Sequence, residues 1–173
     1  MSGLHKISIR GIRESDLAAY KALRLEALRE HPESFGTDYE EDGALPESVW
    51  VERVRKAVED PGGRIVLADA GDELAGMVGV HRNPGAKTRH AASIWGVYVR
   101  PQYRGKRMVD QMIEEILNWC RPRGVRIVRL SATPTGPAAR CYQRCGFQVY
   151  GVSPEEIRVG EKYYDELLMW RRV

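Results

Sequence analysis

Residues 94–120 open Ile94-Trp95-Gly96-Val97-Tyr98-Val99-Arg100-Pro101-Gln102-Tyr103-Arg104-Gly105-Lys106-Arg107-Met108-Val109 and continue as an amphipathic run to Cys120. β-Branched and aromatic residues from Ile94 to Val99 predict a strand, closed by Pro101, which has no N–H for a ladder. Beyond the basic turn, Val109, Met112, Ile113, Ile116, Leu117 and Cys120 recur at helical intervals, while Asp110, Gln111, Glu114, Glu115 and Asn118 fill the opposite face. The stretch is therefore a strand, a glycine-containing turn and a helix with one buried stripe. A helix start presents unpaired N–H groups and the positive end of the macrodipole, and Arg104, Lys106 and Arg107 add three cations beside it. That chemistry suits a phosphate, although an arbitrary basic turn is more often a solvated loop.

Working outward, residues 6–12 alternate around Ile7 and Ile9 and predict a first strand. Ser15-Asp16 then caps a helix to about Arg29, with Leu17, Tyr20, Leu23, Ala27 and Leu28 inward. Pro32 to Asp42 is acidic, aromatic and irregular. Pro46 starts a second helix carrying Trp50, Val54, Ala57 and Val58, which stops at Pro61-Gly62-Gly63. Strands over 64–70 and 73–82 are joined through Gly71-Asp72, a dipeptide suited to a hairpin. A loop at 83–88 leads into the strand 89–99, and 125–132 forms another. Because a helix separates those two, they are expected to be parallel neighbours. Two final strands end the chain.

Length and composition set bounds. At 173 residues, 43% hydrophobic and 29% charged, the chain reads as one domain, residues 1–173, with a substantial core. A net charge of +3 is too small to argue for nucleic acid. The start, Met1-Ser2-Gly3-Leu4-His5-Lys6, runs into Ile7-Ser8-Ile9-Arg10 without an apolar core, so no signal peptide is expected, and no stretch suggests a membrane span. Cys120, Cys141 and Cys145 form an odd set with no disulfide framework, which suits a reducing, cytoplasmic setting. Cys141 and Cys145 stand four apart on a predicted helix, yet no His or Cys cluster completes a metal site. They read as buried thiols, and no metal is expected.

The segment Val97-Tyr98-Val99-Arg100-Pro101-Gln102-Tyr103-Arg104-Gly105-Lys106 resembles the acyl-CoA signature of the GNAT superfamily of N-acetyltransferases. The block Thr133-Pro134-Thr135-Gly136-Pro137-Ala138-Ala139-Arg140-Cys141-Tyr142-Gln143-Arg144-Cys145-Gly146-Phe147 is similar to the family's second motif, with Ala138, Tyr142, Gly146 and Phe147 in place. The order of elements fits as well, so the resemblance spans nearly the whole chain and is weakest before Arg64. It implies a mixed α/β (α+β) fold: a mostly antiparallel sheet of about seven strands, about four flanking helices, and a splayed parallel pair that forms a wedge for acyl-CoA.

The resemblance also implies roles. Backbone groups at Val97, Tyr98 and Val99 would line the pantetheine arm and polarise the thioester carbonyl. The turn Arg104, Gly105, Lys106, Arg107, Met108, Val109 would hold the CoA pyrophosphate, with Thr135 and Ala138 opposite. Here the sequence departs from the family pattern: Arg107 and Val109 stand where small residues are expected, and Thr135 where an Asn is usual. Tyr142 would protonate the departing thiolate, a role open to a phenol that stays protonated near neutrality. Its spacing alone favours a packed core tyrosine, and only the surrounding motif reverses that reading.

The implied reaction is direct acetyl transfer from acetyl-CoA to a primary amine of a small molecule or protein. Keeping a lysine-like amine neutral at pH 7 costs about 4.6 kcal/mol, so a general base would help. His81, Glu40 and Glu41 are candidates. In relatives the N-terminal helices and the last loop shape the acceptor site, which points to Phe35, Tyr39, Glu40, Trp50, Trp95 and the closing stretch around Glu166. Relatives often pair through their final strands, and Leu167-Leu168-Met169-Trp170 would allow a homodimer. The other class kept open is a non-catalytic acyl-CoA sensor or regulator.

Overall fold

The computed structural model describes residues 7–173. The start read above for a leader, and Lys6 of the first strand, lie outside that range. Seven strands form one sheet in the order β1-β2-β3-β4-β5-β7-β6. They are β1 Ser8–Gly11, β2 Gly63–Asp69, β3 Leu74–Arg82, β4 Ala91–Val99, β5 Ile127–Ala132, β6 Gln148–Val159 and β7 Lys162–Arg172. All neighbouring pairs are antiparallel except β4 and β5, which run parallel as the intervening helix requires.

Five α-helices flank the sheet: α1 Leu17–Glu30, α2 Tyr39–Gly43, α3 Glu47–Glu59, α4 Met108–Cys120 and α5 Ala138–Arg144. The sequence predicts about four. The additional one, α2, falls in the acidic segment read as irregular, where the Asp38 carboxylate accepts from the N–H groups of Glu40 at 2.8 Å and Glu41 at 3.3 Å. A side-chain cap is enough to start one short turn, and five residues are too few for periodicity to reveal it.

Each face of the sheet carries a core. On one, α4 lays Met112, Ile113, Ile116 and Leu117 against Val78, Val80, Val128 and Met169. Each such side chain stabilises the fold by about 1.5–3 kcal/mol. On the other, α1 and α3 bury Tyr20, Leu23, Ala27, Trp50 and Val54 over Ile65, Leu67 and Met77. Leu17, read as inward, is half-buried where it packs against this core at the start of α1, and Val58 near the end of α3 is exposed. Between Leu23 and Ala27 the buried stripe of α1 includes a charge, Arg24.

Candidate functional site

The parallel contact of β4 and β5 lasts three residue pairs, Ala91–Ile127, Ala92–Val128 and Ser93–Arg129. Beyond Ser93 the strands part, since β5 keeps its ladder to β7 through Ala132 while β4 stays with β3. The gap becomes a cleft of about 1280 Å³ that passes through the sheet. One register irregularity shapes its wall. Met77 pairs with Tyr98 and Gly79 with Trp95, so Gly96 and Val97 bulge out of β4 opposite Val78. Gly96 takes φ +63, a backbone that only glycine adopts readily. The bulge and the open edge of β4 leave Val97 to Val99 bordering the cleft.

At one end of the cleft lies the turn before α4. Arg104 donates from Nε to the Val99 carbonyl at 3.0 Å, which ties the turn to its strand. Arg107, the N-cap of α4, has φ 54 and ψ 32. It therefore holds the left-handed conformation a glycine would take most easily, at the position where the resemblance leads one to expect a small residue. The Gln111 N–H donates to the Arg107 carbonyl at 3.2 Å, and the N–H groups of the preceding turn have no helical acceptor. Arg104, Gly105, Arg107, Met108 and the partly exposed Val109 line this end. Lys106 does not; its ammonium lies 5.4 Å from the Tyr103 ring. Thr135 and Ala138 line the facing wall.

Midway, α5 brings in Tyr142. Its ring is buried against Phe147, with centroids 6.2 Å apart, and the residue lines the cleft. No described residue hydrogen-bonds its hydroxyl. Burial, then the neighbouring Cys141, Cys145 and Glu166, push its pKa well above the usual phenol value, so the hydroxyl stays a proton donor. Burial likewise raises the Cys120 and Cys145 thiols to about 11, which keeps them from being ready nucleophiles. Cys141 reaches the cleft wall.

The other end widens into a chamber. His81, Phe35 and Trp95 line it, together with Glu166 of the closing strand. Tyr39 and Glu40 do not, and neither do Glu41 and Trp50. Helix α2 turns the first three outside the chamber, and Trp50 is fully buried beneath α1. Tyr98 is buried, and burial, with the hydrogen bond its hydroxyl donates to Glu26 at 3.0 Å, raises its pKa to about 12. The same Glu26 carboxylate accepts from Arg100 at 2.8 Å, fixing α1 to the end of β4.

Three chamber groups escape the sequence reading. Arg24 lines it from α1. Glu33 follows the turn after α1, and His31 beside it bridges Glu33 at 3.6 Å and Arg104 at 3.0 Å. Glu156 comes from a second bulge: β6 loses register with β7 between Ser153 and Ile157, and Glu155 takes φ 52 there. The Glu155 N–H donates to Asp165 at 2.9 Å and holds the bulge. Pro154, unable to join a ladder, is the sequence signal for that break.

The apolar end Leu167-Leu168-Met169-Trp170 is not a free surface. Met169 is fully buried, and the run is paired on both sides, to β5 and β6. Exposed apolar side chains lie instead at Val149, Tyr150, Val152 and Tyr163. Among the described residues no group of metal-ligating side chains could hold an ion, and no helix is long and apolar enough to cross a membrane.

Comparisons with known proteins agree with this geometry. An acetyltransferase of the GNAT family from Streptococcus pneumoniae superposes with a TM-score of 0.85 at 21% identity, over 97% of this chain and 100% of that one. The putative acetyltransferase yncA of Salmonella typhimurium, solved with acetyl-CoA, gives 0.81 at 16%, over 96% and 94%. A phosphinothricin acetyltransferase of Sinorhizobium meliloti, also in complex with acetyl-CoA, gives 0.79 at 17%, over 96% and 88%. No curated protein matches by sequence. The model of the acetyltransferase (GNAT) family matches residues 20–147, from α1 through Tyr142 to Phe147, and the chain belongs to that family.

Proposed function

We propose that this protein is an N-acetyltransferase that moves the acetyl group of acetyl-CoA directly to a primary amine of a small molecule or protein. The observation that carries the reading is the position of Tyr142: a buried, protonated hydroxyl with no partner among the described residues, in the same cleft as the open edge of β4 and the first turn of α4. The residues of the turn fit acetyl-CoA. Arg107 already holds the left-handed backbone that a glycine would supply, and its side chain is exposed rather than filling the cradle. Val109 narrows the entry without closing it, since it lines an open cleft.

In this reading the first-turn N–H groups of α4, with Arg104, Gly105, Arg107, Met108 and Val109, hold the pyrophosphate. Lys106 contributes long-range charge. Thr135 and Ala138 hold the facing side, and N–H groups of Val97 to Val99 polarise the thioester carbonyl. The neutral amine forms the new N–C bond as the C–S bond breaks. Tyr142 gives its proton to the departing sulfur, and the proton shed by the nitrogen leaves through His81 or water. Phe35 and Trp95 shape the acceptor chamber. A cytoplasmic site of action belongs to the same proposal, supported by the free thiols. So does a homodimer, for which Val149, Tyr150, Val152 and Tyr163 offer the exposed apolar surface.

The test is Tyr142→Phe, assayed by thiol release and by acetyl-CoA binding. Turnover is expected to fall on the order of 100-fold with the acetyl-CoA Kd unchanged. Unchanged turnover would remove Tyr142 from the mechanism. A non-catalytic sensor would show binding and no amine-dependent thiol release in the wild type.

A further inference from the structure

Arg24 is a guanidinium in an apolar place. Only 6% of its surface is exposed, and it lies on the stripe of α1 that otherwise carries Tyr20, Leu23, Ala27 and Leu28. Its carbon stands 5.3 Å from the Phe35 ring and 6.0 Å from the Trp95 ring. Of its five N–H donors, one is engaged among the described residues: Nε reaches Asp42 at a long 3.4 Å. Nη1 is fully buried and has no hydrogen-bond partner.

Asp42 does not balance this charge. It is itself buried, and Arg53 grips it with both nitrogens, at 3.2 and 3.3 Å. Two guanidinium groups thus share one carboxylate. Arg53 is partly exposed and can draw on solvent; Arg24 is nearly enclosed. A buried cation left short of partners is costly, so a group that completed it would be bound favourably.

The direction of the free donor says what that is. A β-carbon built on Gly96 would lie 3.5 Å from Arg24 Nη1, so the unpaired N–H groups sit beside the β4 bulge and border the chamber. An anion entering the chamber would meet a preorganised donor flanked by two aromatic rings. Arginine is matched to planar oxyanions, above all carboxylates.

We propose that Arg24 anchors a carboxylate of the acceptor, so that the acceptor is a small aminocarboxylate rather than a polyamine or simple alkylamine. This rests on the acetyltransferase reading above. The transfer step is the one already written: the amine nitrogen of the same molecule forms the bond to carbon, and the carboxylate takes no part in bond making. Arg24 holds one end of the acceptor so that the other faces the thioester. Glu33, Glu156 and Glu166 line the same chamber and attract the ammonium form on entry.

The experiment compares α-, β- and γ-amino acids with their primary amides, with spermidine as a non-anionic amine. Turnover is followed by thiol release, and binding by ligand-observed NMR, which needs no turnover. The wild type is expected to favour the best acid over its amide by at least about 100-fold in kcat/KM. Arg24→Met should bring the two within about threefold while leaving acetyl-CoA affinity unchanged; Arg24→Lys, which keeps the charge, should retain part of the preference. The wild-type comparison stands even if Arg24→Met fails to fold. Amides or spermidine used as well as the acids would overturn the proposal. So would the absence of both turnover and binding for every acid. Acids that bind through Arg24 in a protein that does not bind acetyl-CoA would sink the acetyltransferase reading and leave the anion site standing.

Discussion

The two ends of the cleft are built from different materials. At the α4 end the groups proposed to recognise the ligand are backbone: N–H groups of a first helical turn, presented by a tight turn with Gly105 and Arg107 in left-handed conformations. At the chamber end they are side chains, Arg24, Phe35, Trp95, Glu156 and Glu166, drawn from α1, the segment after it, β4, β6 and β7. A backbone site is local in sequence and fixed by turn chemistry. A side-chain site exists only after the fold has assembled it, and it can change its ligand without changing the fold.

The sharpest way to break the chamber while sparing the turn is Gly79→Ala. A β-carbon there would lie 2.2 Å from the Trp95 ring, so the ring must move. Stability is expected to fall by about 1–3 kcal/mol in a urea melt. The acceptor KM should rise, because Trp95 no longer supports Arg24, while the acetyl-CoA Kd should change less than twofold. An acetyl-CoA affinity that falls in parallel would show that the two ends are not independent.

The difference between the two ends follows the line between what could and could not be read in the sequence. The strand, turn and amphipathic helix of residues 94–120 are visible because hydrophobic period and turn residues are local signals. The parallel pairing of β4 and β5 follows from the crossover helix, whereas their splay was implied only by the resemblance. The chamber was read poorly. Tyr39 and Glu40 drew attention as an aromatic and an acid in an irregular segment, yet a cap at Asp38 folds them into α2 and outside the cleft. Lys106 drew attention as a cation in the motif and lies outside the cleft wall. Arg24 went unnoticed among the apolar residues read as the inward side of α1. Its signal was positional: it stands four residues after Tyr20 and three before Ala27, on the buried stripe. Glu156 required the β6 bulge, which Pro154 only hints at.

The smaller effect lies at the turn. Arg107→Gly removes a left-handed non-glycine backbone and should stabilise the fold by about 1 kcal/mol, raising Tm by a few degrees. Acceptor selectivity should not change. No gain in Tm would mean that the Arg107 side chain holds the turn by contacts that compensate for its backbone.

The most direct test of the account is a calorimetric titration of acetyl-CoA into the wild-type protein, with CoA and ATP as comparison ligands. The account predicts micromolar binding of acetyl-CoA and CoA, with ATP much weaker, because the cleft holds the pantetheine arm along β4 as well as the phosphates at α4. No binding of acetyl-CoA, or binding of ATP just as tight, would contradict it: the fold and the family would stand, and the cleft would belong to another ligand.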